Sequence, residues 1–450
     1  MTLTTKSIAA YSLFYCATGL FGTNSWAALP IQKFILPNGA VVHLVESPAI
    51  AMLDVQVDFD GGSRRDPAGK AGLASVMAAQ LENGVAARGS QPLLDENALG
   101  EAWADLGAQF GASAGTDRLS FTLRTLTEPD LLAKAVALAA RQIGTPAFVD
   151  AVWQRDKQKV LASLKEADTR PSTLASRAYS QAVYGNHPYG YEMTAASVAN
   201  VSVPDMRAFY TTSVVACRAR INLVGAVNRA LAEQIASALL AQLPQMACAS
   251  LPTPAPVAEV APLSQPAQQT IAFDAAQAQV LVGQPGYKRN DPAFFTMLVG
   301  NYILGGGGFV SRLMNEVREK RGLTYGVYSS FAPGLHAGAF TVSLQTRPDQ
   351  AAAALAVTRQ VIQEFVASGP TEAEVKAAKD NLIGGFALLI DSNRKLLGNI
   401  SNIAWNDLPL DYLDTWQAQV EKVTASDIKA AMAAKLQPDK MVTVVLGAKP

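Results

Sequence analysis

The sequence predicts an α+β protein of two similar halves, each a mostly antiparallel sheet with helices packed on one face, joined by a Pro-rich linker. Three observations lead there. First, one order of hydrophobic patterns (strand, helices, strand pair, helices, strand) runs twice along the 450 residues, the mark of a duplicated unit. Second, residues 243–269 break that order, with Pro244, Pro252, Pro254, Pro256, Pro262 and Pro266 among Ala, Ser and Gln, a composition that gives a semi-extended connector. Third, 49% of the residues are hydrophobic, enough for a sizeable core in each half. The expected boundaries are 1–27 (signal), 28–243, 244–269 (linker) and 270–450.

Residues 1–27 read as a secretory signal. Lys6 gives a weakly positive start, residues 8–21 form an apolar run, and Ser25-Trp26-Ala27 places small residues where a signal peptidase needs them. Cleavage after Ala27 and an exported, periplasmic chain are expected. The alternative is an uncleaved anchor, for which the run is short and interrupted.

In the first half, residues 31–47 read as a hairpin turning at Pro37-Asn38-Gly39, and 51–59 as a further alternating strand. A buried helix covers 72–81 and another 93–106. Residues 108–126 form a strand pair. Helices at 129–143, 149–167, 172–183 and 203–211 lead to a strand at 217–227 and a helix at 228–243. The second half repeats this: a strand at 278–285, a helix at 291–304, a strand pair at 323–331 and 338–346, and helices at 348–368 and 371–389. The latter opens with a Thr371/Glu374 capping box. Helices at 393–402, 410–420 and 424–435 precede a closing strand at 441–446.

The 37 basic and 37 acidic residues balance, which argues against a nucleic-acid partner. Of three cysteines, Cys16 leaves with the signal. An exported chain tends to pair those that remain, Cys217 and Cys248. The strand after Cys217 advances about 33 Å and the helix returns about 24 Å, so Cys248 comes back near Cys217. Two separate thiols remain the alternative.

Residues 309–328 organise the second half. Phe309, Val310, Leu313, Met314 and Val317 recur at helical spacing, Gly322 is a helix stop, and 323–331 alternates as a strand. Arg318 falls near the helix end and Tyr325 on the strand. Two readings stand open for them: a solvated helix face followed by an ordinary strand tyrosine, or a cationic fork and a phenol aimed at a peptide carbonyl. The glycines at 305–308 lack the Lys-Ser/Thr of a phosphate loop. They either line a chamber or allow a tight turn into the helix.

Taken in order, several landmarks resemble the pitrilysin/insulysin-type zinc metallopeptidases, the inverzincins, and within them the half-size branch of the mitochondrial processing peptidase and its bacterial relatives. They are Leu36-Pro37-Asn38-Gly39, Gly61-Gly62-Ser63-Arg64, Ala71-Gly72-Leu73-Ala74, His187-Pro188-Tyr189-Gly190, and Ser311-Arg312-Leu313 through Arg318 and Tyr325. The zinc motif of that family, His-x-x-Glu-His, falls on Ser75-Val76-Met77-Ala78-Ala79: Ser75, Ala78 and Ala79 replace both histidines and the glutamate. The third ligand of the family would fall in a stretch reading Arg155-Asp156-Lys157-Gln158-Lys159, without a Glu. His43, His187 and His336 are scattered, and no metal constellation is expected in this chain.

The resemblance implies a division of labour. In two-chain members of the family one chain carries the zinc site and the other an Arg and a Tyr that bind the scissile peptide and its developing oxyanion. Arg318 and Tyr325 match that pair. The expectation is a non-zinc, substrate-binding subunit of an exported heterodimeric metallopeptidase, with zinc in a partner that retains His-x-x-Glu-His and an unfolded peptide as substrate. The alternative is a catalytically inert structural or peptide-binding relative.

Overall fold

The structure, a computed structural model, describes residues 30–448. The signal reading of residues 1–27, Cys16 included, lies outside the described residues. Among those described, no helix is long and apolar enough to cross a membrane.

The first half opens with the hairpin β1 (Gln32–Ile35) and β2 (Val41–Glu46). Gly39 closes its turn at φ +95°, a left-handed conformation that a Cβ would penalise. Next come β3 (Met52–Phe59), α1 (Leu73–Gln80), the short pair β4 (Gly84–Val85) and β5 (Leu94–Asp95), and α2 (Glu96–Asp105). β6 (Gln109–Ala114) and β7 (Leu119–Leu126) pair antiparallel. Then follow α3 (Pro129–Gly144), α4 (Asp150–Ala167), α5 (Pro171–Tyr184), α6 (Ala195–Ala199), α7 (Val203–Ser213), β8 (Arg220–Gly225) and α8 (Arg229–Leu240). The six-stranded sheet runs β1-β2-β8-β3-β7-β6 and is antiparallel except where β2 meets β8. β6 is therefore an edge strand.

The second half holds β9 (Ala267–Ile271), β10 (Ala278–Pro285), α9 (Phe294–Asn301), β11 (Val327–Phe331) and β12 (Ala339–Thr346). After them come α10 (Ala351–Ser368), α11 (Glu372–Gly384), α12 (Asn393–Trp405), α13 (Tyr412–Lys422), α14 (Ala425–Lys435) and β13 (Val442–Leu446). Its five-stranded sheet runs β11-β12-β10-β13-β9, with only β13 and β9 parallel. The Thr371/Glu374 capping box forms, closing the free N–H groups of α11.

The α+β class holds, and each sheet covers a core with its own helices. Val55, Phe59, Leu73, Met77 and Phe121 meet in the first, and Val282, Met297, Leu313, Phe340 and Phe365 in the second. The opposite face of each sheet is partly covered by a helix from the other half. α12 lies on β3 and β8. α5 lays Ala175, Tyr179 and Val183 on Ala339, Val442 and Val444, and the Tyr179 hydroxyl donates to the Phe340 carbonyl at 2.7 Å. This exchange buries apolar surface that neither half could cover alone.

Some elements differ from the sequence reading. β9 begins inside the stretch read as linker. Its first four residues are exposed and three of them, Gln268, Gln269 and Thr270, are polar, as an edge strand allows, so no hydrophobic alternation marks it. Cys217 sits in a single helical turn, Ala216–Arg218, before β8 rather than in the strand. The helix expected over 371–389 ends at Gly384, where Gly384-Gly385 breaks it.

Candidate functional site

The degenerate motif lies on α1. That helix begins at Gly72, held left-handed at φ +95°. The Asp66 carboxylate caps it, accepting from Gly72 N at 2.7 Å and Ala74 N at 2.9 Å. Burial pushes the Asp66 carboxyl up to about 6 despite those backbone donors.

Ser75 and Ala79, four residues apart, share one face of α1 and line a pocket of about 450 Å³. Asp156 of α4 faces them across it. Ala78 does not join them; it is packed in the core. Asp156 is heavily engaged. One oxygen accepts from Gln80 Nε2 at 3.0 Å and Asn83 Nδ2 at 2.8 Å, the other from Arg155 Nε at 2.9 Å and Lys159 Nζ at 3.0 Å. Arg155 also pairs with Glu96 at 2.9 Å. The Arg155 hydrogen bond, outweighing partial burial and joined by those from Gln80 and Lys159, holds the Asp156 carboxyl far below the usual range.

These residues do not fit a zinc ion. Zinc needs three or four N, S or carboxylate donors with a lone pair to give. Positions 75, 78 and 79 offer one hydroxyl and two methyl groups, and both Asp156 oxygens are saturated by N–H donors. No chemical step is derived through a metal here. Among the described residues, no group of three His, Cys, Asp or Glu is arranged to hold one.

The second candidate lies in the other half. Two wide helical turns, Tyr302–Gly306 and Met314–Glu319, flank a tight turn at Gly308–Val310. A Cβ on Gly305 would come within 2.6 Å of the Ser329 backbone N, so this glycine permits close packing on β11. The expected apolar stripe is shorter than predicted. Leu313, Met314 and Val317 are buried, but Phe309 and Val310 are 68% and 76% exposed, because Gly308 at φ +62° breaks the helical phase.

The exposed Phe309 has a partner in Arg318. The Arg318 guanidinium carbon sits 4.6 Å from the Phe309 ring centre and 5.3 Å from that of Tyr325, so the cation is in reach of two aromatic rings. Its Nη1 donates to Glu319 at 2.9 Å. Tyr325 is 86% exposed and precedes β11 rather than lying on it. The Thr324 hydroxyl diverts the chain there, donating to the Gln345 carbonyl at 2.5 Å and accepting from Gly326 N at 3.1 Å. From Tyr325 an uncharged groove of about 340 Å³ runs past Tyr328, Gln279 and Gln345. No residue lines both this groove and the α1 pocket.

Cys217 and Cys248 form a disulfide, with Cα atoms 5.7 Å apart. It fastens the start of the Pro-rich segment to the first half. Arg218 donates to the Pro252 carbonyl at 2.6 Å, and Arg65 bonds the Ala255 carbonyl. Two of the scattered histidines also meet. The rings of His187 and His336 are 5.2 Å apart where the halves join. His187 bonds the Ala258 carbonyl at 2.8 Å and accepts from Tyr189 N at 3.1 Å; His336 faces Glu259 at 3.2 Å. His43 is buried in β2, and burial, helped by Lys33 and Arg220, lowers it to about 4.

Sequence reasoning missed Phe309, whose apolar spacing suggested core, and Asp156 with Gln80 and Asn83, whose pairing depends on how α4 crosses α1.

Comparison with known proteins agrees with this anatomy. Residues 41–197 match the description "Insulinase (Peptidase family M16)" and residues 200–382 "Peptidase M16 inactive domain". A Mycobacterium bovis protein named an uncharacterized zinc protease is 26% identical over 434 residues, 94% of each chain. A Helicobacter pylori protein named a non-peptidase homolog is 24% identical over 442 residues, 96% of this chain and 97% of that one. A Pseudomonas fluorescens crystal structure described as a peptidase M16 inactive domain superposes with a TM-score of 0.87 at 34% identity, covering 94% of this chain and 98% of the other. A two-half α+β fold, a motif helix stripped of its donors and these likenesses converge: the chain belongs to peptidase family M16.

Proposed function

We propose that this chain is the non-zinc, substrate-binding subunit of an exported, periplasmic heterodimeric metallopeptidase. A homologous partner with an intact His-x-x-Glu-His motif supplies the zinc site, whose metal would activate water. This chain binds the unfolded peptide and positions its carbonyls. The observation that carries the reading is Tyr325, 86% exposed and bordering Arg318, whose guanidinium lies near both its ring and that of Phe309. An ordinary surface tyrosine gains nothing from such support, whereas a donor to a developing oxyanion needs a fixed position. The Tyr325 hydroxyl donates to the scissile carbonyl oxygen as that oxygen gains charge, and Arg318 holds a neighbouring backbone carbonyl. The edge strand β6, packed against α1, is suited to receive an extended peptide by strand addition.

The test is hydrolysis of a quenched fluorescent peptide by this chain, by a purified His-x-x-Glu-His homologue from the same genome, and by the mixture. Activity confined to the mixture and lost with Tyr325→Phe supports the proposal. Activity of the partner alone, unchanged on mixing, overturns it. That result would leave the second reading, an inert peptide-binding relative, which the "inactive domain" and "non-peptidase homolog" likenesses favour.

A further inference from the structure

The two halves meet at a joint built on the turn that follows α5. His187, held extended before Pro188, caps the turn Pro188–Gly190, its Nδ1 accepting from Tyr189 N at 3.1 Å. Its Nε2 lies 2.8 Å from the Ala258 carbonyl. A carbonyl only accepts and a backbone N–H only donates. The ring therefore carries its proton on Nε2 and keeps Nδ1 bare, which is the neutral form. The cap in turn places Tyr189. Its hydroxyl donates to Asp117 Oδ1 at 2.7 Å and accepts from His336 N at 3.1 Å. Asp117, in the turn between β6 and β7, also accepts from Leu335 N at 3.0 Å. The loop between β11 and β12 thus hangs on two side chains of the first half. A Cβ on Gly334 would come within 2.7 Å of the Tyr189 hydroxyl and 2.8 Å of Asp117 Oδ2, so the loop sits directly on them.

This joint has no place for a second proton on His187. Nδ1 takes one only by giving up Tyr189 N, and two N–H groups would then face each other. The new cation would also lie beside His336, whose ring centre is 5.2 Å away. Asp117 and Glu259 are the acids near the ring, and both are engaged. Asp117 pairs with Arg64 at 3.1 Å, and Glu259 with Lys288 at 2.6 Å and His336 at 3.2 Å. Tyr184 and Tyr189 pack on the imidazole from its own segment. Burial, joined by His336, pushes the imidazole below its ordinary value against the Ala258 carbonyl, Glu259 and Asp117.

We propose that His187 is a proton-operated cap that couples pH to the joint between the halves. Neutral, it holds Tyr189 under the β11–β12 loop; protonated, it releases the turn, and the loop with it. An opened joint takes up the proton more readily than a closed one, because only the closed one needs Nδ1 bare. The joint is therefore fully held above about pH 6.5, the ordinary histidine value. It weakens as pH falls from there toward the lower value of the closed state. Protonated histidines loosen packed interfaces in this way in pH sensors. α5 and α12 still pack across the halves, so acid frees the loop rather than the fold. The inference goes beyond peptide binding and does not depend on it.

The test uses the full chain without a histidine tag. Hydrogen exchange read by mass spectrometry follows residues 332–339, which hold the Leu335 and His336 amides, with β10 as the control. Relative to the intrinsic rate at each pH, protection of 332–339 falls about threefold or more between pH 7.5 and pH 5 while β10 keeps its own. One proton allows at most about tenfold per pH unit. His187→Asn keeps an acceptor for Tyr189 N, since Asn is a good cap, but cannot take the proton, so its protection is the same at both pH values. A second measurement needs no change at position 187. The chain has three histidines, so nitrogen-15 NMR of labelled imidazoles reads each one, assigned with His43→Gln and His336→Gln. At pH 7.5 His187 shows the Nε2–H tautomer, and its titration tracks the loss of protection. Unchanged protection in wild type, an equal fall in His187→Asn, a fall that follows His336 instead, or Nδ1–H on His187 at pH 7.5 would each overturn the inference.

Discussion

The Arg318 guanidinium carbon lies 5.3 Å from the Tyr325 ring centre and 4.6 Å from that of Phe309. The phenol and the cation therefore hold each other with no hydrogen bond between them, and the Tyr325 hydroxyl is left for a substrate. If they act on a peptide, the three side chains have separable effects. Tyr325→Phe lowers kcat of the mixed enzyme by about 100-fold or more, the usual cost of one oxyanion donor. Phe309→Ala removes one ring from the cation and raises KM about two- to fivefold with kcat nearly unchanged, matching an exposed cation–π contact. Phe309→Tyr restores it. Steady-state kinetics on the mixture separates these outcomes, and an equal fall in kcat for both variants would refute the assignment.

Arg312 and Glu374 form the best-defined ion pair of the second half, bidentate at 2.7 and 2.7 Å. Glu374 also closes the capping box with Thr371. The Arg312 hydrogen bonds, against partial desolvation, lower the Glu374 carboxyl to about 2. Since its folded value lies below the unfolded one, its contribution is fully present above about pH 4.5 and is lost as pH falls toward 2. Glu374→Gln therefore destabilises by about 1 kcal/mol at pH 7, a cap-sized effect moderated by solvent. The difference from wild type shrinks by pH 3. Urea unfolding at the two pH values checks this.

The Cys217–Cys248 bridge closes 31 residues of sequence, which in the chain-entropy treatment stabilises by about 3–4 kcal/mol. With the Arg218 and Arg65 bonds to Pro252 and Ala255, it straps the Pro-rich segment to the first half. Cys217→Ser with Cys248→Ser lowers Tm and exposes residues 244–256 to proteinase K, with cleavage there preceding loss of either sheet. Unchanged Tm and cleavage would show that the strap carries no stability.

The sequence disclosed what depends on local spacing: the two-half order, the Thr371/Glu374 cap, the stripped motif at Ser75, Ala78 and Ala79. It did not disclose what depends on packing between distant segments. Asp156 meets Gln80 and Asn83 across 76 and 73 residues, through a crossing of α1 and α4 that no periodicity encodes. Tyr325 left its expected strand because the Thr324 hydroxyl competes for backbone groups. Phe309 left its expected core because Gly308 breaks the helical phase. His187 and His336, unrelated in sequence, meet because α5, which leads into His187, packs on the second sheet.

The stripped motif also makes a constructive prediction. Ser75 and Ala79 share one helix face and look across the pocket at Asp156, whose oxygens exchange N–H partners for a metal once the missing imidazoles hold one there. Two imidazoles at i and i+4 with a carboxylate opposite form a three-ligand zinc set. Ser75→His with Ala79→His is expected to bind about one zinc per chain in equilibrium dialysis, with wild type far below that. Asp156→Ala in that background abolishes binding, as does restoring Ala79. The zinc-loaded variant still does not hydrolyse peptides by itself. Ala78, where the general base would stand, is a methyl group packed in the core, and Ala78→Glu there costs stability by burying a charge. Zinc binding that survives Asp156→Ala would mean that α4 does not face the motif as described.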